Sequence, residues 1–179
     1  MDMKHYLAFA AIFAFVLIGC TAWGQEANRL VSADSTFVRK AAQGGLAEVE
    51  LGTLATQRAS NEMVKRFGQR MVDDHTKAND DLKAIASRKG VMVPATIDAE
   101  SRVAKTHLSN LHGAEFDRAY MKDMVSDHEK DIAEFQREAD HGADSDVKAF
   151  AARTLPTLHE HLKMAQEALS DVERSAPRQ

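Results

Sequence analysis

Val64-Lys65-Arg66-Phe67-Gly68-Gln69-Arg70-Met71-Val72-Asp73-Asp74-His75 places Val64, Phe67 and Met71 three and four residues apart, the spacing of one helix face. Its last five residues return 53 positions later as Met124-Val125-Ser126-Asp127-His128. In each copy a histidine follows a methionine by four residues, so both side chains leave the same side of the helix. The repeat predicts two helical hairpins that bring like residues to one place.

Working outward from it, the first copy belongs to a helix over about Asn61 to Lys89, stopped by Gly90. Before it, Asp34 or Ser35 caps a helix that runs to about Arg58 and carries Gly44, Gly45 and Gly52. Glycine inside a helix costs roughly 1 kcal/mol against alanine, so the cluster predicts close approach of a neighbouring helix. The second copy lies in a helix over about Ala114 to Asp140, ending at His141-Gly142. A last helix begins at Asp144 or Ser145, runs to about Val172 and is expected to kink at Pro156. Between Gly90 and Gly113 the chain is too long for a hairpin loop and carries one short helix over about Asp98 to Asn110. Four long helices with one long central connection predict an all-α, ferritin-like four-helix bundle over residues 34–172. Residues 173–179 read as a polar tail.

The N-terminus has a different character. Lys4 precedes an apolar run from Tyr6 to Ile18, which is too short to span a bilayer and reads as an export signal over residues 1–24, followed by a linker over 25–33. Leu17-Ile18-Gly19-Cys20 resembles the lipobox of bacterial lipoproteins, with Cys20 as the lipidated residue; Ala22-Trp23-Gly24 is a rival cleavage site. The expected location is the periplasm of a Gram-negative bacterium, with an anchor in the outer membrane if Cys20 is lipidated. Cys20 is the single cysteine, which excludes an intramolecular disulfide. A net charge of −4 with both signs interspersed argues against nucleic acid as a partner, and any membrane contact is expected only through the N-terminal anchor. The identity of any protein partner is not given by the sequence.

Histidines supply the candidate chemistry. On the second helix the apolar residues occupy a sector of about 60°, with Asp74 and His75 each about 50° from its centre. His128 falls near the middle of the stripe formed by Met121, Met124, Ile132 and Phe135, and His161 lies near the edge of the last helix's stripe. His75, His128 and His161 are the candidate metal ligands. Glu48 is a candidate fourth ligand from the glycine-rich first helix, with Glu50 as its competitor. Asp74 and Asp127 are expected to orient the imidazoles, and Met71, Met124 and Met164 stand within one turn of the histidines. Imidazole suits zinc, copper, iron or nickel, and thioether sulfur shifts the preference toward copper(I). The plainer reading makes the methionines core filler and the histidines interhelical hydrogen-bond partners, for instance to Asp74 or Asp127 of the opposite hairpin.

A di-iron centre of the usual kind is not expected. It requires Glu-x-x-His on two helices, whereas Val72, Val125 and Leu158 stand three residues before the three histidines. No serine elbow or usable cysteine nucleophile is present, so the sequence leans away from an enzyme.

Three stretches carry a family resemblance: Phe37 to Ala59 with its Ala-Ala-Gln-Gly-Gly core, Val64 to His75, and Phe116-Asp117-Arg118-Ala119-Tyr120 before the second Met-Val-x-Asp-His. With Leu155-Pro156 and His161-Leu162, they resemble the domain-of-unknown-function 4142 family over about Asp34 to Leu169. The resemblance implies a ferritin-like four-helix bundle in exported bacterial proteins, often labelled predicted outer-membrane proteins. It also implies that Glu48, His75, His128 and His161 are positions of the family pattern, and it brings no reaction with it. The expected function is therefore an exported envelope bundle that binds a transition metal or small ligand between its helices. The alternative is a non-catalytic structural or interaction module with no metal.

Overall fold

The computed structural model describes residues 32–175, so the expected signal, Cys20 and most of the expected linker lie outside the described residues. Five helices and no strand are found among them: α1 Ser32–Arg58, α2 Glu62–Arg88, α3 Ala99–Ser109, α4 Gly113–His141 and α5 Ser145–Ser175. No helix in this range is long and apolar enough to cross a membrane. The helix ends are close to expectation. Asn61 accepts a hydrogen bond from the Met63 N–H (2.8 Å) at the start of α2, and Asp98 accepts one from the Ser101 N–H (2.8 Å) at the start of α3. Gly90 has φ +66°, the left-handed conformation that closes a helix without a Cβ penalty.

Two expected boundaries move. α1 begins at Ser32, ahead of the predicted cap, because Asp34 is occupied elsewhere: its carboxylate accepts from the Ala143 and Asp144 N–H groups in the α4–α5 turn (3.2 and 2.7 Å). α5 continues to Ser175, into the stretch expected to be tail, and passes through Pro156 as one helix.

α1 packs against α2 and α4 against α5, and the two hairpins meet through α2 with α5 and α1 with α4. The first hairpin closes tightly. A Cβ on Gly52 would lie 2.6 Å from the Gly68 carbonyl oxygen, and one on Gly68 would lie 2.8 Å from that of Gly52; a Cβ on Gly45 would meet Asn79 at 2.1 Å. Close helix approach therefore accounts for Gly52, while at Gly45 the side chain of Asn79 fills the space a Cβ would take. Gly44 differs, with open space where its Cβ would stand.

Carboxylates exchanged between hairpins tie the assembly at both ends. Asp117 of α4 is buried and accepts from the Ser60 N–H (3.0 Å), the Ser60 hydroxyl and the Asn61 N–H (2.9 Å) in the α1–α2 turn. Asp34 of α1 serves the α4–α5 turn in the same way. Both satisfy backbone donors that a turn and a helix start leave without partners. Two apolar clusters fill the interior, one around Phe67, Met71, Tyr120 and Met124, the other around Phe37, Leu82, Phe135 and Leu158. His75, His128 and His161 join the buried interior of α2, α4 and α5.

Candidate metal centre

The three histidines arrive on three helices. His75 and His128 end the two copies of the repeated pentapeptide, and His161 lies five residues after Pro156 on α5. Their ring centroids are 6.0 Å (His75 to His128), 5.4 Å (His75 to His161) and 5.4 Å (His128 to His161) apart. One ligand nitrogen from each lies within 4.8 Å of the others, and among the described residues this is the one such group of potential metal ligands. All three are buried, at 7%, 0% and 1% exposure. The expected difference between a flanking His75 and a central His128 is thus small. Each helix's own stripe is covered at its flanks by the opposite hairpin, which a single-helix projection omits.

Hydrogen bonds assign the ring nitrogens. The Met124 carbonyl can only accept, so His128 Nδ1 carries the proton it shares with that oxygen at 2.9 Å, and Nε2 is bare. His161 Nε2 donates to Asp74 Oδ2 at 2.8 Å, which leaves Nδ1 bare. His75 Nε2, His128 Nε2 and His161 Nδ1 are the buried ring nitrogens without a hydrogen-bond partner. A buried polar atom normally has one, so three orphans at one place are an anomaly in the protein taken alone.

The electrostatics hold the rings neutral. Burial lowers the His75 pKa to about 3, helped by His128 and His161. It lowers that of His128 to about 4, again with His161 acting in the same direction. His161 is also lowered by burial, against the opposing pull of Asp74. Neutral imidazole is the form that binds metal. Burial works to raise the Asp74 pKa, but hydrogen bonds from Arg70 and His161 prevail and hold its carboxyl below the ordinary range. Arg70 also approaches Glu160 at 3.4 Å, so the chain Glu160, Arg70, Asp74, His161 runs from surface to centre. A carboxylate behind an imidazole is the arrangement that fixes the orientation and raises the basicity of a metal-binding histidine.

The other expected participants are placed differently. Asp74 does orient an imidazole, but that of His161 across the hairpin interface. Asp127 does not take that role; it pairs with Lys130 (3.2 Å) on the side of α4 that faces α1 and α3. Glu48 is buried but stands outside the three-histidine group, its field reaching Tyr120, Asp127 and Asp131. It lines a cleft with Asp127 and Asp131 on the α1, α3 and α4 side, while the aromatic row Tyr120, Phe67, His128, with centroids 6.1 and 6.2 Å apart, packs the interior beside the histidines. Glu50, its competitor, pairs with Lys105. Met71 and Met124 are fully buried members of the first apolar cluster, and Met164 packs on its edge. Arg70 was not anticipated, although its position four residues before Asp74 was the available signal. Asp131, raised to about 7 by burial, Asp127 and Glu134, was likewise missed.

An all-helical protein with a buried cluster of three neutral histidines is the class defined by fold and site together. Residues 21–168 match the family described as domain of unknown function (DUF4142), and the chain belongs to that family. No curated protein matches it. Among solved structures it is similar to the crystal structure of a DUF305 fragment from Deinococcus radiodurans, at 16% identity and a TM-score of 0.71, covering 80% of this chain and 99% of the fragment. At that identity the likeness shows the fold alone.

Proposed function

We propose that this protein binds a single transition-metal ion between its two hairpins, through His75 Nε2, His128 Nε2 and His161 Nδ1, in a ferritin-like four-helix bundle whose central connection carries α3. The observation that carries this reading is the convergence of three buried, unpartnered ring nitrogens. An ion would satisfy all three at once, where hydrogen bonding within the protein satisfies none. Three nitrogen ligands with a carboxylate behind one of them suit zinc or copper and leave a fourth position for water or a small ligand. The signal and the lipobox-like Cys20 support an exported, membrane-anchored protein, so the site would act on envelope metal. A mature mass lacking acyl chains would remove the anchor from this proposal.

The test is metal titration of the purified protein with zinc and copper, followed by thermal unfolding with and without chelator. One equivalent per chain is expected, and a ligand present at 100 times its Kd stabilises by about 2.7 kcal/mol. His128→Ala should abolish both effects. Absence of stoichiometric binding in the parent protein would leave the plainer structural module, which the His161–Asp74 and His128–Met124 hydrogen bonds also support.

A further inference from the structure

Seven carboxylates and two lysines line a cleft of ≈ 440 Å³ on the α1, α3 and α4 side of the molecule. Both lysines are engaged, Lys40 with Glu134 at 3.0 Å and Lys130 with Asp127 at 3.2 Å. Asp98 is committed to capping α3. Glu48, Asp123 and Asp131 stand in the cleft outside any ion pair among the described residues.

Glu48 is what distinguishes this cleft from an ordinary acidic surface. It lines the cleft at 4% exposure, and its Oε2 is buried without a hydrogen-bond partner. A buried carboxylate is normally paired, hydrogen-bonded or bound to a cation. We propose that the cleft is a second cation site, selective for a hydrated hard divalent ion of the Mg2+ or Mn2+ type, with Glu48 as its innermost ligand and Asp131 and Asp127 beside it.

Three further observations fit. Glu48 is pushed well up by burial and then by Asp131 and Asp127, so one cation would relieve three mutually repelling groups. The donors are oxygen, which suits hard ions, while the imidazoles next door suit softer ones. Among the described residues no three of these carboxylates form a group compact enough to enclose a bare ion, so an ion held here would keep several of its own waters, the habit of Mg2+. Gly44 and Asp131 wall both this cleft and the enclosed space of ≈ 30 Å³ that reaches His75, so the two sites are neighbours. The proposal does not depend on metal at the histidines.

Mn2+ titration of the full chain, read as loss of the free-ion electron paramagnetic resonance signal and reversed by Mg2+, tests it. Saturable binding is expected, weakened at least tenfold by Glu48→Gln and by Asp131→Asn and changed less than twofold by His128→Gln. Circular dichroism checks that each variant is folded; Glu48→Gln keeps the size of the buried side chain, and Asp131→Asn provides the second reading. Failure of the parent chain to bind Mn2+ at millimolar concentration overturns the proposal, as does binding that survives both carboxylate changes or disappears with His128→Gln.

Discussion

His161 and Asp74 meet at 2.8 Å across the interface of the two hairpins, and that bond decides which nitrogen of His161 faces the other two histidines. The carboxylate takes the Nε2 proton, so Nδ1 is presented as a lone pair. Orientation, charge and tautomer at the centre thus depend on a residue from the opposite half of the chain.

Asp74→Asn should therefore weaken metal binding without removing a ligand. Loss of a carboxylate behind a metal-binding imidazole typically costs 10–100-fold in affinity, and that range is expected here. A competition titration against a chromogenic chelator measures it. An unchanged affinity would show that Asp74 has no part in the site.

The metal-free protein should lose stability as pH falls below about 6.5. His75 and His128 have folded pKa values of about 3 and 4, so the unfolded chain takes up protons that the fold refuses. Each such group contributes about 1.4 kcal/mol per pH unit in that window, and nothing above it. His75→Gln should reduce the loss between pH 6.5 and 5 by about 2 kcal/mol relative to the parent, compared by urea unfolding at the two pH values.

Glu48→Gln should have the opposite pH signature. The Glu48 pKa is raised in the fold, so its contribution is lost as pH rises above the unfolded value. In magnesium-free buffer the variant should be more stable than the parent by roughly 1–3 kcal/mol at neutral pH, with the gain vanishing toward pH 4. Chemical denaturation across pH tests this, and a variant less stable at pH 7 than at pH 4, relative to the parent, would contradict it.

The glycines of α1 should divide into two kinds. Gly52→Ala drives a Cβ into the Gly68 carbonyl and should cost about 1–3 kcal/mol. Gly44→Ala meets nothing within 4 Å and should gain about 0.5–1 kcal/mol from helix propensity. Thermal unfolding of the two variants side by side gives the comparison.

Much of this was legible in the residues. Helical periodicity, which put helix starts near Asn61 and Asp98, and Gly90 after α2 placed the helices to within a few residues, because those signals act over one or two turns. The meeting of His75, His128 and His161 was suggested by their lying within or at the edges of the apolar stripes. What depended on partners distant in sequence was not legible. Nothing local told that Asp34 serves a turn more than a hundred residues away, that Asp74 would orient His161, or that Glu48 would line a cleft with Asp127 and Asp131 instead of joining the histidines. Asp127 repeats the position of Asp74 in the pentapeptide yet pairs with Lys130 in the cleft that α4 forms with α1 and α3, since α2 and α4 occupy different places in their hairpins and equal motifs meet unequal neighbours.

The exchange of carboxylates between hairpins has a consequence for how the molecule opens. Turn amides ordinarily exchange their hydrogens with solvent by small local fluctuations. Those of Ser60, Asn61, Ala143 and Asp144 are bonded to Asp117 and Asp34 of the other hairpin, so freeing any of them breaks a contact between the two halves. These four amides, two at each end, should exchange at the slow rate of the whole fold and report its separation into halves as a single cooperative event.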